Sequence, residues 1–243
     1  VTVIAADAGG NSERRQRHNG VDVRRVRSLA PDGAGHFAPG VATTLAGLDP
    51  DLVHAHNYHS FPLAISALSL AVRRGSVPLV VTPHYHGGSD NGFRDRLLSL
   101  YAPLGQWALR QASAVIAVSE WERRQLQQDF GIEPQVIPNG LDIDRFRTAT
   151  PESRERPYLL TVGRLVEYKG VQHVIRSLTE PRLAAFDLVV AGSGPYRDRL
   201  EAIAAEEDVA ERVTFAGYVD DDRLAGLYAG ASVYLSLSTI EAY

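Results

Sequence analysis

The segment LLTVGRLVEYKGVQHVIRSL carries two cations, Arg164 and Lys169, in a loop between a strand-like run ending at Val162 and a stretch of helical period beginning near Gly170. Gly163 permits a tight turn between them. Arginine offers a planar fork for two oxygens and lysine a mobile point charge, so the pair suits a diphosphate and can neutralise it as it gains charge. Lys169 is the only lysine among 25 basic residues, which singles it out within a composition biased to arginine. A solvated loop with surface charges is the competing reading. In VVAGSGPYRDRL the same strand, glycine turn and helix recur, and Gly192, Ser193 and Gly194 allow a ligand near the backbone. The full dinucleotide fingerprint and a ribose-binding acid are missing, so no nicotinamide site is expected, and a plain turn competes. Downstream, Gly217, Tyr218 and Val219 follow one strand and Glu241 follows the next. A carboxylate there can accept hydrogen bonds from sugar hydroxyls or simply cap a helix.

Five of the 8 histidines fall in HAHNYHS (His54, His56, His59) and PHYHGG (His84, His86), each beside a strand end. Alternation places His54 with His56, and His84 with His86, on common faces if the strands persist that far. Such imidazoles can donate to a phosphate or sugar oxygen or move a proton. Two imidazoles at i and i+2 can also share an ion, but no nearby acid completes a ligand set, so no metal site is expected. The acidic run Asp220 to Asp222 reads as a helix start, where negative charge meets the positive end of the dipole.

These residues need a frame. Short Val, Ile, Leu and Ala runs alternate with longer segments of helical period, the pattern of βα units around a mostly parallel sheet buried on both faces. Strands are expected near 1–6, 21–27, 51–55, 78–82, 113–118 and 134–137, and helices near 40–47, 61–73, 93–110 and 119–129. After a polar, proline-containing linker come strands near 158–162, 187–191, 212–215 and 232–236 and helices near 170–178, 195–206 and 221–229. Two doubly wound, Rossmann-like sheets fit this count, an N-terminal domain over 1–147 and a C-terminal domain over 148–243. In such sheets ligands bind at the carboxyl ends of strands, where the glycine turns and cations fall.

Composition narrows the partners. With 243 residues, 44% hydrophobic content and a net charge of −4, the chain can bury substantial cores and has no basic field for nucleic acid. It has no cysteine, which excludes disulfides and cysteine-ligated zinc, and no apolar run long enough to span a membrane. A cytoplasmic location is expected, with membrane contact peripheral at most. The absence of methionine and the stop within a βα unit lead us to expect a fragment, lacking a first strand and its C-terminal end.

With these residues in view, the chain resembles family 4 of the retaining glycosyltransferases, which have the GT-B fold. The blocks VIPNGLDIDRF, LLTVGRLVEYKG, LVVAGSGPYRDRL and VTFAGYVDDDRLAGLYAGASVYLSLSTIEAY stand in the family's order and approximate spacing. The resemblance implies an N-terminal acceptor domain and a C-terminal donor domain, here truncated, facing each other across a cleft. It implies transfer of a sugar from a nucleoside-diphosphate sugar, of UDP or GDP type, to a sugar, lipid or small-molecule acceptor with retention of configuration. Arg164 and Lys169 match the pair that holds the donor diphosphate. Glu241 matches the first glutamate of a Glu-x7-Glu motif that contacts the donor sugar, the second lying beyond Tyr243. His84 matches a histidine near the donor phosphate and sugar, with His86 as the alternative if the register shifts. Gly163, Gly192 and Gly194 belong to the turns beneath the nucleotide, Tyr218 and Val219 fall where the base packs, and Asn139 and Gly140 belong to the hinge-side signature. The nucleotide sugar is a co-substrate, no cofactor is implied, and a divalent metal is expected to be dispensable because protein cations neutralise the leaving group. A sugar-nucleotide epimerase of this fold and a non-catalytic nucleotide-sugar-binding module are the alternatives.

Overall fold

The computed structural model describes residues 1–10, 13–29, 36–73, 76–87 and 92–239, with backbone alone over 92–99. The chain forms two compact units, one of Val1–Asn139 and one that begins at Gly140.

The first unit runs β1 (Thr2–Asp7), β2 (Arg15–His18), β3 (Val21–Arg27), α1 (Gly40–Ala46), β4 (Val53–His56), α2 (Phe61–Ala71), β5 (Leu79–Thr82), α3 (Gly92–Arg110), β6 (Ala114–Ala117), α4 (Glu120–Phe130) and β7 (Gln135–Val136). One sheet has the order β1-β3-β2 and the other the order β4-β5-β6-β7. All pairs are parallel except β2 with β3, an antiparallel hairpin over Asn19–Gly20. β2 escapes sequence reading because its four residues, RQRH, are all exposed and show no apolar alternation. Leu79, Val81 and Ala117 of the four-stranded sheet pack with Leu63, Ala67, Leu109 and Leu126 of the flanking helices into one core. A cavity of about 970 Å³ lies between β1 and β4, lined by Thr2, Ile4, Leu45, Leu52, His54 and Ser66 among others.

The second unit runs α5 (Ile143–Arg147), β8 (Tyr158–Val162), a 3₁₀ turn (Glu167–Lys169), α6 (Val171–Ser177), a 3₁₀ turn (Pro181–Leu183), β9 (Asp187–Ala191), α7 (Arg197–Glu206), a 3₁₀ turn (Ala210–Arg212), β10 (Val213–Gly217), α8 (Asp221–Gly230) and β11 (Val233–Tyr234). Its sheet is entirely parallel with the order β10-β9-β8-β11. Alternation along β8 and β9 divides the core. Leu159, Leu188 and Val190 face Val174, Ile175, Leu200 and Ile203 of α6 and α7. Tyr158, Leu160, Val189 and Ala191 face Leu227 of α8. The sheet is therefore doubly wound, and the near-continuous burial of β8 and β9 is what a sheet covered on both faces requires.

The polar stretch read as a linker lies against α8. Glu152 accepts ion pairs from Arg154 at 3.0 Å and Arg223 at 3.1 Å, and its amide donates to the Gly226 carbonyl at 2.9 Å. Glycines at 226 and 230 let that strand of chain lie directly against α8. The five-residue α5 also packs on α8, where Arg145 pairs with Asp221 at 2.5 Å. The second compact unit begins at Gly140 and so includes α5.

Candidate functional site

The glycine turns of the second unit are stitched together by backbone hydrogen bonds. The Gly163 amide, at the end of β8, donates to the Ala191 carbonyl at 3.0 Å, and the Gly192 amide, at the end of β9, donates to the Gly217 carbonyl at 2.7 Å. Leu165 in turn donates to Ser193 at 3.0 Å, and Tyr196 donates back to Leu165 at 3.1 Å. Three strand ends are thereby locked into one bare backbone platform along the carboxyl edge of the sheet. Gly192 is required there on two counts. Its φ of 136° is foreign to side-chain-bearing residues, and a Cβ would run into the Gly163 carbonyl oxygen. Gly194 lies equally close to the backbone of Leu165.

Both expected cations belong to this edge. Arg164 is exposed just past Gly163, and Lys169 is half-buried at the end of the 3₁₀ turn. Tyr168 touches both: its hydroxyl accepts from Arg164 Nη2 at 2.8 Å, and Lys169 Nζ lies 5.6 Å from its ring centroid. Gly170 follows in a left-handed conformation, φ 73°, and passes so close to Leu237 that no Cβ fits. The helix that begins after it, α6, has only seven residues, so its dipole adds little and the side-chain cations must supply the attraction for an anion.

At the end of β10, Tyr218 projects into solvent with 84% exposure, a ring free to stack on a planar ligand. Val219 turns the other way and packs on the Leu160, Val189 and Leu227 cluster, so its side chain serves the core. Asp220 caps α8, accepting from the Arg223 amide at 2.8 Å, with Asp221 and Asp222 in the first turn, as the acidic run suggested. Asn139 and Gly140 are exposed at the division between the two units. Glu241 lies outside the described residues.

In the first unit the histidines sort into two groups. His54, His56 and His84 stack at the ends of β4 and β5, with ring centroids 4.2 Å apart for the first pair and 5.6 Å for the second. His56 Nδ1 and His84 Nε2 are 3.3 Å apart, and His54 Nε2 is 2.8 Å from Thr82 Oγ1. Burial, and after it the neighbouring imidazoles, hold His54 and His56 below the usual imidazole range, so these two rings favour the neutral form. His84 and His86 part company because β5 ends at Thr82 and His84 takes a φ of 48°, which breaks the alternation. His86 joins His59, 4.6 Å away, in a second stack beneath Tyr85. Both ring nitrogens of His59 and Nδ1 of His86 are buried without a hydrogen-bond partner among the described residues. Burial, reinforced by His86, pushes His59 down to about 4. Among the described residues no group of three His, Cys, Asp or Glu side chains is placed to hold a metal ion.

Sequence reading passed over Glu122, which is fully buried on α4. Its carboxylate accepts the Tyr85 amide at 2.6 Å and the Val118 amide at 2.7 Å, tying the His84–His86 loop to the end of β6. Two backbone donors and the helix N-terminus compensate a charge that burial alone would disfavour. The visible signal was Ser119-x-x-Glu122, a capping-box spacing in which Ser119 does cap the helix by accepting the Glu122 amide at 3.1 Å. The glutamate, though, reaches across to a neighbouring loop.

The profile of Glycosyltransferase Family 4 matches residues 1–145, and that of Glycosyl transferases group 1 matches residues 142–243. The chain is 31% identical over 191 residues to the GDP-mannose-dependent alpha-(1-6)-phosphatidylinositol monomannoside mannosyltransferase of Mycolicibacterium smegmatis, covering 71% of this chain and 47% of that protein. It is 29% identical over 202 residues to the 2-deoxystreptamine glucosyltransferase of Streptomyces kanamyceticus, covering 73% of this chain and 51% of the relative. The chain therefore spans about half the length of these relatives. Among solved structures, HepE of Anabaena in complex with UDP and glucose superimposes with a TM-score of 0.69 at 19% identity, covering 96% of this chain and 73% of that one. WaaG, a glycosyltransferase involved in lipopolysaccharide biosynthesis, gives a TM-score of 0.67 at 20% identity, covering 93% and 65%. These likenesses identify the fold class as α/β of the GT-B type. With a family profile covering more than half its length, and turns and cations ordered along the carboxyl edge of a doubly wound sheet, the chain belongs to Glycosyltransferase Family 4.

Proposed function

We propose that the protein transfers a sugar from a nucleoside-diphosphate sugar to an acceptor hydroxyl, with retention of anomeric configuration and without a divalent metal. The observation that carries this reading is the convergence of Arg164 and Lys169, through Tyr168, beside a backbone platform made by Gly163, Gly192 and Gly194. A diphosphate set against that edge meets two cations and glycines that carry no side chain of their own, while Tyr218 offers a face for the base. Relatives that are GDP-mannose-dependent, or that were solved with UDP and glucose, support a donor of GDP or UDP type.

The chemistry is electrostatic. As the bond from the sugar to the diphosphate lengthens, negative charge grows on the leaving oxygens, and preorganised cations stabilise that charge more than they stabilise the bound donor. The acceptor hydroxyl attacks from the face the leaving group departs and passes its proton to a departing phosphate oxygen, so the configuration is retained and no side chain need act as a nucleophile. Glu241 would contact the donor sugar, and His84 would lie near its phosphate. Two fixed protein cations do the neutralising that a divalent ion does elsewhere. The acceptor is a sugar, a lipid or a small molecule.

In the full-length protein, Arg164→Ala and Lys169→Ala are each expected to lower transfer ten-fold or more, on the order of 1.4 kcal/mol of transition-state stabilisation, with the fold intact by circular dichroism. Wild-type rates in both variants would sink the diphosphate assignment.

A further inference from the structure

Tyr168 sits between the two cations and engages each through a different part of its side chain. Its hydroxyl accepts a hydrogen bond from Arg164 Nη2 at 2.8 Å. Its ring lies under the Lys169 ammonium, 5.6 Å from the centroid, within cation–π range. Its peptide carbonyl accepts the Thr239 amide at 3.0 Å and the Thr239 hydroxyl at 3.4 Å. The segment after β11 is thus pinned to the loop after β8, and Gly170, with no Cβ to strike Leu237, lets the two pass in contact. Arg164 has no acidic partner within 4 Å among the described residues, so Tyr168 is its tether. Long cationic side chains lose much rotamer freedom when a ligand orders them, and a tether present before binding reduces that loss.

We propose that Tyr168 is a positioning residue that holds the guanidinium by its hydroxyl and the ammonium by its ring face, so that both charges meet one diphosphate. The proposal rests on the diphosphate reading of Arg164 and Lys169. Separate parts of one side chain do the two jobs, so they are separable by mutation. Tyr168→Phe removes the hold on Arg164 and keeps the ring for Lys169. Tyr168→Leu removes both.

The test is calorimetric titration of the full-length protein with UDP and with GDP, comparing wild type, Tyr168→Phe, Tyr168→Leu, Arg164→Ala and the double variant Arg164→Ala/Tyr168→Phe. Whichever nucleotide the wild type binds is expected to bind about five-fold more weakly to Tyr168→Phe and more than ten-fold more weakly to Tyr168→Leu. In the Arg164→Ala background the Phe substitution should add less than two-fold, because the group it positions is already gone. The melting temperature of free Tyr168→Phe should match wild type, which separates positioning from a loss of folding. Wild-type affinity in Tyr168→Phe, or the same fold-loss on top of Arg164→Ala, overturns the role of Tyr168 while leaving the diphosphate site standing. If the wild type binds neither nucleotide, the diphosphate reading and the positioning role fall together.

Discussion

At the residue scale, His59 carries the sharpest consequence. Its two ring nitrogens are buried without partners among the described residues, and burial pushes its pKa down to about 4 from the ordinary 6.5. The unfolded chain then binds a proton between those values that the folded chain refuses. Stability contributed by the neutral ring is fully present above pH 6.5 and is lost as the pH falls toward 4, on the order of 3 kcal/mol in all. Melting temperature is expected to fall across that window, and His59→Phe, which keeps the ring volume, should flatten the fall. An unchanged slope in the variant would place the acid sensitivity elsewhere. His59 was visible in the sequence only as one member of a histidine-rich stretch. Which ring it stacks on depends on His86 arriving from another strand end, and no local pattern contains that. Arg164 and Lys169 stand out in the sequence because their charge and spacing are local, whereas no local pattern marks Tyr168 between them.

At the scale of elements, the four-stranded sheet of the first unit relies on one carboxylate to bind its loops. Glu122 belongs to α4 but accepts amides from the loop after β5 and from the end of β6. In Glu122→Gln one acceptor oxygen becomes an NH₂ group facing a backbone N–H, and the buried site cannot turn to relieve it. The substitution is expected to cost about 2 kcal/mol, read as a lower urea midpoint at unchanged slope, and to raise hydrogen exchange at the Tyr85 amide. Exchange and midpoint equal to wild type would show that the loop is held by packing alone. Strands and helices themselves were largely legible, because burial on both faces of β8 and β9 and the helical periods leave strong local signals. The exceptions have physical causes. β2 is polar throughout and exists because β3 offers it an edge, and α5 is a single short turn held by α8.

At the scale of the whole molecule, ligand and stability are linked. A nucleoside diphosphate at one hundred times its dissociation constant adds about 2.7 kcal/mol of stability. For a chain of this size that corresponds to roughly 5–10 °C in melting temperature. The shift is expected with UDP or GDP, in a buffer containing EDTA, and is expected to shrink in Lys169→Ala. A shift abolished by EDTA would make the site metal-dependent, and no shift with any nucleoside diphosphate would remove the donor reading. Local signals in the chain suffice for the α/β class, two successive βα series, and the turns and cations at strand ends, since each follows from periodicity or residue type over a few neighbours. The strand order β10-β9-β8-β11, the sorting of histidines into two stacks, the burial of Glu122 and the bridging place of Tyr168 emerge first in the folded chain. Each of these joins residues far apart in the chain or turns on the direction of one side chain, and such contacts are selected by packing rather than by local preference.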